Sequence, residues 1–96
     1  MAAYAILNLL EVTDRKGWED YRANFQAVLA EFGARVIAAD PNYQVLEGEW
    51  DGVSNVIIEF PDLDAADRLY NSDKYKPLLD MRLEATKGNL ILLDGI

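Results

Sequence analysis

"YAILNLLEV", residues 4–12, is a nine-residue run whose only polar members are Asn8 and Glu11. Its length suits a strand, and Thr13-Asp14 closes it. Apolar side chains occupy both alternating sets, Ala5, Leu7 and Leu9 on one face and Tyr4, Ile6 and Leu10 on the other. A strand of this kind is covered on both sides, which places it centrally in its sheet.

The segments that follow set its surroundings. In "DRKGWEDYRANFQAVLAEFG", residues 14–33, Trp18, Tyr21, Phe25, Val28, Leu29 and Phe32 recur at the three-and-four spacing of one helical face. Thr13 or Asp14 is its expected N-cap and Gly33 its stop. "ARVIAAD" (34–40) reads as a strand that breaks at Pro41-Asn42. "YQVLEGEW" (43–50) is expected to run on as a strand to the turn at 51–55, and "VSNVIIEF" (53–60) is the next main strand. A helix of about two turns starts at Asp62 or Asp64. A further helix spans 72–88, with Pro77 in its first turn and Gly88 at its end, and "NLILLDGI" (89–96) is the last strand.

Two successive strand–helix–strand units make one α+β domain over residues 1–96. The expected form is a ferredoxin-like split βαβ sandwich, an antiparallel sheet with its helices on one face. That leaves the other face of an apolar sheet uncovered, a larger patch than monomers ordinarily expose. A second copy of the same sheet is the economical cover, so a homodimer is expected.

Composition narrows the function classes. The net charge is −8, and the nine basic residues are scattered, which argues against nucleic acid and anionic membranes as partners. The chain has neither cysteine nor histidine, so disulfides and ordinary zinc, haem or copper sites are not expected. No cofactor is expected. The N-terminal apolar run lacks a basic leader and is broken by Asn8, so it is read as neither signal peptide nor membrane span, with the cytoplasm the expected compartment.

Several pieces occur in an order and spacing that resemble a known family: "AYAI" (3–6), "VLEGEW" (45–50), "NVIIEFPD" (55–62), "YNSDKY" (70–75) and "LLDGI" (92–96). Together they resemble the bacterial domain-of-unknown-function family 1330, within the dimeric α+β barrel superfamily. The resemblance spans the chain and implies a subunit whose sheet packs on a partner's to form a dimeric α+β barrel. It implies no established activity. Where the family usually has Ser-Pro-Glu-Tyr this chain has Ser72-Asp73-Lys74-Tyr75, and where a Gly-Gly pair is common it has Gly33-Ala34.

The candidate site residues are polar groups in apolar settings: Asn8, Glu59, Ser72, Tyr75 and Arg82. A carboxylate buried without a partner costs several kcal/mol, so Glu59 in "VIIEFPD" needs a cation or donors. Arg82 is the expected one, because it shares a helical stripe with Leu78 and Ala85. The pair is either a structural fastener between helix and sheet or part of a pocket. In the pocket Arg82 would bind an anionic or carbonyl group, and Glu59 would act as base or acceptor. A third possibility leaves Glu59 on a solvent-exposed edge, since strand parity alone does not orient it. Ser72 is most simply an N-cap, and Tyr75 packs over the sheet end or faces a pocket mouth. Glu47 and Glu49 read as solvated edge residues, and "DLDAAD" as helix-start carboxylates rather than metal ligands.

Two functions follow. One is a small homodimeric protein that binds a small organic molecule, with cofactor-independent chemistry as an extension by superfamily analogy. The other is a non-catalytic binding or assembly protein whose polar cluster is structural.

Overall fold

Strand β1, Ala3–Val12, has the central place its double apolar character requires in the computed structural model, which describes residues 1–96. Helix α1 (Arg15–Glu31) follows, then β2 (Arg35–Asp40), β3 (Ser54–Phe60), α2 (Leu63–Tyr70), α3 (Lys76–Ala85) and β4 (Thr86–Asp94). The strands form one antiparallel sheet in the order β2-β3-β1-β4. This is the ferredoxin-like α+β architecture.

The helix ends follow local chemistry. Asp14 caps α1 by accepting a hydrogen bond from the Gly17 amide at 3.2 Å, and Asp62 caps α2 through the Ala65 amide at 2.7 Å. Gly33 ends α1 with φ of 70°, a conformation open to glycine. Gly17 has a packing reason: a Cβ there would stand 3.0 Å from that of Ala85, so glycine lets α1 lie close along α3.

The two faces of the sheet differ. Ala3, Ala5, Leu7 and Leu9 of β1 are buried under the helices, and Ala3 and Ala5 form one core cluster with Ile58 and Phe60 of β3 and Tyr21, Phe25 and Leu29 of α1. The other face is open. It carries Tyr4, Ile6 and Asn8, flanked in register by Glu59, Ile57 and Asn55 on β3 and by Leu93, Ile91 and Asn89 on β4.

Two expected segments come out differently. Residues 43–50 form no strand, although their residue types favour one. β2 lies at the sheet edge, so this stretch has no neighbouring strand within the chain, and propensity without a ladder partner does not hold a strand. Instead Tyr43 donates its hydroxyl to the Gly52 carbonyl at 2.8 Å and closes the segment into a loop. The last helix stops at Ala85 rather than Gly88. Thr86 pairs with Val12 in the sheet, and the Ala85 carbonyl accepts from the amides of Thr13 and Asp14 at 2.8 and 3.1 Å. No helix is long and apolar enough to cross a membrane.

Candidate functional site

The helices and the covered sheet face line a cavity of about 680 Å³ that is partly open to solvent, and 18 of its 23 lining residues are hydrophobic. Small side chains make the room: Ala5 and Ala39 line it from the sheet, Ala23 and Ala66 from the helices. Aromatic rings form one wall. Trp18 stacks on Tyr21 with centroids 5.5 Å apart and planes 10° from parallel, and Tyr21 stacks on Phe25 at 4.9 Å. Tyr75 meets Tyr21 edge-on at 6.5 Å.

Glu19, Arg22, Gln26 and Asp67 line the cavity with exposed side chains, and one polar cluster is buried. The hydroxyls of Tyr21 and Tyr75 share a hydrogen bond of 3.0 Å. Arg82 lies beside them, its guanidinium carbon 6.0 Å from the Tyr21 ring centroid. Arg82 is only 6% exposed, yet no carboxylate lies within ion-pair distance of it. Burial pulls its guanidinium toward losing the proton, but Tyr75 and Tyr21 more than offset this and leave its pKa above the ordinary arginine value. Burial, reinforced by Tyr75, pushes the Tyr21 phenol well up, and Arg82 opposes only part of the rise. At neutral pH this part of the cavity therefore presents the Arg82 cation beside a neutral, hydrogen-bonded Tyr21. That combination suits an anionic or carbonyl oxygen on an otherwise apolar molecule.

Of the five residues singled out in the sequence, the fold brings Tyr75 and Arg82 together here. Asn8 and Glu59 lie on the open sheet face. The expected Glu59–Arg82 pair does not form: Glu59, half-buried, meets the exposed Arg35 of the adjacent strand at 3.2 Å. Ser72 does local work in the turn between α2 and α3. Its hydroxyl donates to the Leu69 carbonyl at 2.8 Å and accepts from the Tyr75 amide at 3.2 Å. Tyr21 was absent from the sequence candidates because it sits in a stripe of core residues. The available signal was a hydroxyl inside an apolar stripe, which needs a partner when buried.

Asn8 belongs to a different polar feature. Its amide donates to Asn55 at 3.2 Å and to the Asp51 carbonyl at 2.9 Å, and its oxygen accepts from Asn89 at 3.2 Å. The Trp50 indole donates to Asn55 at 3.0 Å. The row crosses three strands of the open face, and its central Asn8 amide is partnered inside the chain on both nitrogen and oxygen. No three carboxylates cluster in a metal-binding arrangement.

A family model described as "Domain of unknown function (DUF1330)" matches residues 2–96. Among curated proteins no sequence match is found. Three solved structures place the fold. RPA0582, a protein of unknown function from Rhodopseudomonas palustris, has a TM-score of 0.76 at 19% identity, over 99% of this chain and 83% of that one. A dimeric ferredoxin-like protein of unknown function from Jannaschia sp. CCS1 gives 0.69 at 14% identity, over 100% of this chain and 99% of that one. SnoaB, a cofactor-independent oxygenase from Streptomyces nogalater, gives 0.60 at 14% identity, over 99% of this chain and 91% of that one.

Proposed function

The chain belongs to the DUF1330 family, which supplies a fold and no reaction, and from the cavity itself we propose that it binds a small, largely apolar organic molecule carrying an anionic or carbonyl oxygen. One observation carries this reading: Arg82 is buried, charged and without a carboxylate, on the wall of an apolar cavity. A buried charge held against its desolvation cost needs a counterpart, and here the open side is the cavity. Tyr21 and Tyr75 would share the ligand's oxygen with Arg82, and the aromatic wall would take its apolar body.

Cofactor-independent catalysis is the second reading. A guanidinium facing a low-dielectric chamber stabilises negative charge on a reacting oxygen, and one fold neighbour is named a cofactor-independent oxygenase. Glu59 is on the opposite sheet face, so the base once expected of it would have to come from the ligand or from elsewhere.

The proposed unit is a homodimer joined through the open sheet faces. The accessible surface is 6389 Å². A compact monomer of this mass exposes roughly 5,500 Å². The excess of roughly 850 Å² is close to the ~800 Å² that one partner buries in a standard interface. The open face offers exposed Ile91 and Leu93, and the central Asn8 amide of its asparagine row already has internal partners on both its nitrogen and its oxygen, so covering the face does not strand that group. A dimeric neighbour supports the same arrangement.

The test is native mass spectrometry of gently purified protein, followed by calorimetry with aromatic carboxylates and matched neutral compounds. Retention of a small molecule by wild type and its loss in Arg82→Met would support the reading. Equal binding of charged and neutral compounds, or unchanged binding in Arg82→Met, would remove it. No binding, together with destabilisation in Arg82→Met, would favour the non-catalytic assembly protein.

A further inference from the structure

The distribution of unpaired cations around the cavity extends the reading above and rests on it. Six of the nine basic residues form ion pairs: Arg15–Glu19, Lys16–Asp20, Arg35–Glu59, Arg68–Asp64, Lys74–Glu31 and Lys87–Glu11. Arg22, Lys76 and Arg82 do not. Acidic residues outnumber basic ones 17 to 9; Arg22 and Lys76 are exposed to solvent, whereas Arg82 is buried. Two of the three unpaired cations, Arg22 and Arg82, line the main cavity.

Arg22 also lines a second cavity of about 330 Å³, which shares Trp18, Glu19, Arg22, Ala39 and Val56 with the first. The two chambers thus adjoin, with the flat Trp18 ring on the wall they have in common. The charged residues of the second chamber are Arg15, Glu19 and Arg22. Arg15 and Glu19 face each other at 3.9 Å, which leaves Arg22 as the uncompensated charge. Asp67, the other carboxylate on the main cavity, does not line the second chamber.

We infer that the ligand is elongated and carries two anionic groups, one held by Arg82 with Tyr21 and Tyr75 and the other by Arg22 in the adjoining chamber, with an apolar middle passing Trp18. A chain of net charge −8 repels anions at long range. Selectivity for a second charge must therefore come from a cation at contact distance, and Arg22 is the residue placed to supply it.

The experiment uses two matched series: 4-alkylbenzoates of increasing chain length, and the same compounds with the terminal methyl replaced by a carboxylate. Binding to the full-length protein is measured by calorimetry at low ionic strength. At the length that spans the chambers, the second carboxylate is expected to tighten binding about three- to tenfold, and added salt to shrink that gain. Arg22→Gln should abolish the gain, read as the ratio of affinities between the two series, whereas Arg82→Met should weaken both series. A methyl series that binds while no dicarboxylate binds better, or a gain that survives Arg22→Gln, would overturn the inference and spare the Arg82 site. Failure of both series to bind wild type would overturn the Arg82 reading and this one with it.

Discussion

Tyr21 and Tyr75 are separated by 54 positions in sequence, yet their hydroxyls meet at 3.0 Å inside the apolar cavity, next to Arg82. α1 delivers one ring and the start of α3 the other. The Ser72 turn sets the second by holding the Tyr75 amide. The polar end of the cavity is thus assembled by helix packing, with Gly17 permitting the close approach of α1 and α3.

The state of Arg82 makes its removal informative. Replacing a buried charge by an apolar side chain of similar volume is often neutral or stabilising, by ~1–4 kcal/mol in paired cases. Arg82→Met should hold or raise the stability of the ligand-free protein, measured by urea unfolding, and abolish ligand binding. Gain of stability with loss of function marks a binding residue. A loss above ~2 kcal/mol without ligand would instead make Arg82 a structural element.

Tyr21 sets the alkaline limit of stability. Its pKa is raised on folding, so the folded protein holds a proton that the unfolded chain releases near pH 10. The associated stability is complete below pH 10 and falls as pH rises further, by at most ~1.4 kcal/mol per pH unit. Tyr21→Phe should cost about 1 kcal/mol at neutral pH through the lost hydrogen bond. Above pH 10 its melting temperature should decline less steeply than that of wild type. Parallel decline in the two proteins would show that Tyr21 does not govern the alkaline transition.

The elements were legible where a pattern was local. β1 carried apolar residues on both faces, and α1 a three-and-four stripe closed by Asp14 and Gly33. Residues 43–50 were misread because strand formation depends on a neighbour that local sequence does not specify. The partner of Glu59 was hidden by one extra residue. β2 and β3 shift register between Val36 and Ala38, so Arg35 faces Glu59. Without that bulge, continuation of the Asp40–Asn55 register would set Arg35 opposite Phe60, on the helix side of the sheet. Tyr75 and Arg82 drew attention as polar residues in apolar settings. The cavity did not, because it arises from alanines on four different elements.

The same register gives a prediction for Glu59. Its bond to Arg35 is partly hydrated, with the arginine side chain 74% and the glutamate side chain 31% exposed, and solvent-accessible pairs contribute ~0–1 kcal/mol. Glu59→Gln should change stability by no more than ~0.5 kcal/mol and leave ligand binding intact. Denaturant titration and calorimetry check the two halves separately. A loss of several kcal/mol would place Glu59 in a buried network that the present geometry does not contain.

The open sheet face supplies the last prediction. Ile91 sits in register with Ile6, which pairs in turn with Ile57, so the three make an apolar row across β4, β1 and β3. Ile91 is 52% exposed, and a lysine there could remain hydrated in a monomer. Buried against an apolar partner sheet, the same ammonium would be desolvated without a counter-ion, at a cost of several kcal/mol. A two-fold interface would bear that cost twice in each dimer. Wild type should therefore scatter light as a dimer at low micromolar concentration and Ile91→Lys as a monomer. Leu83→Lys, at an exposed site on α3, should leave the dimer unchanged and controls for charge alone. If Ile91→Lys remains dimeric with wild-type stability, the subunits do not meet through this face.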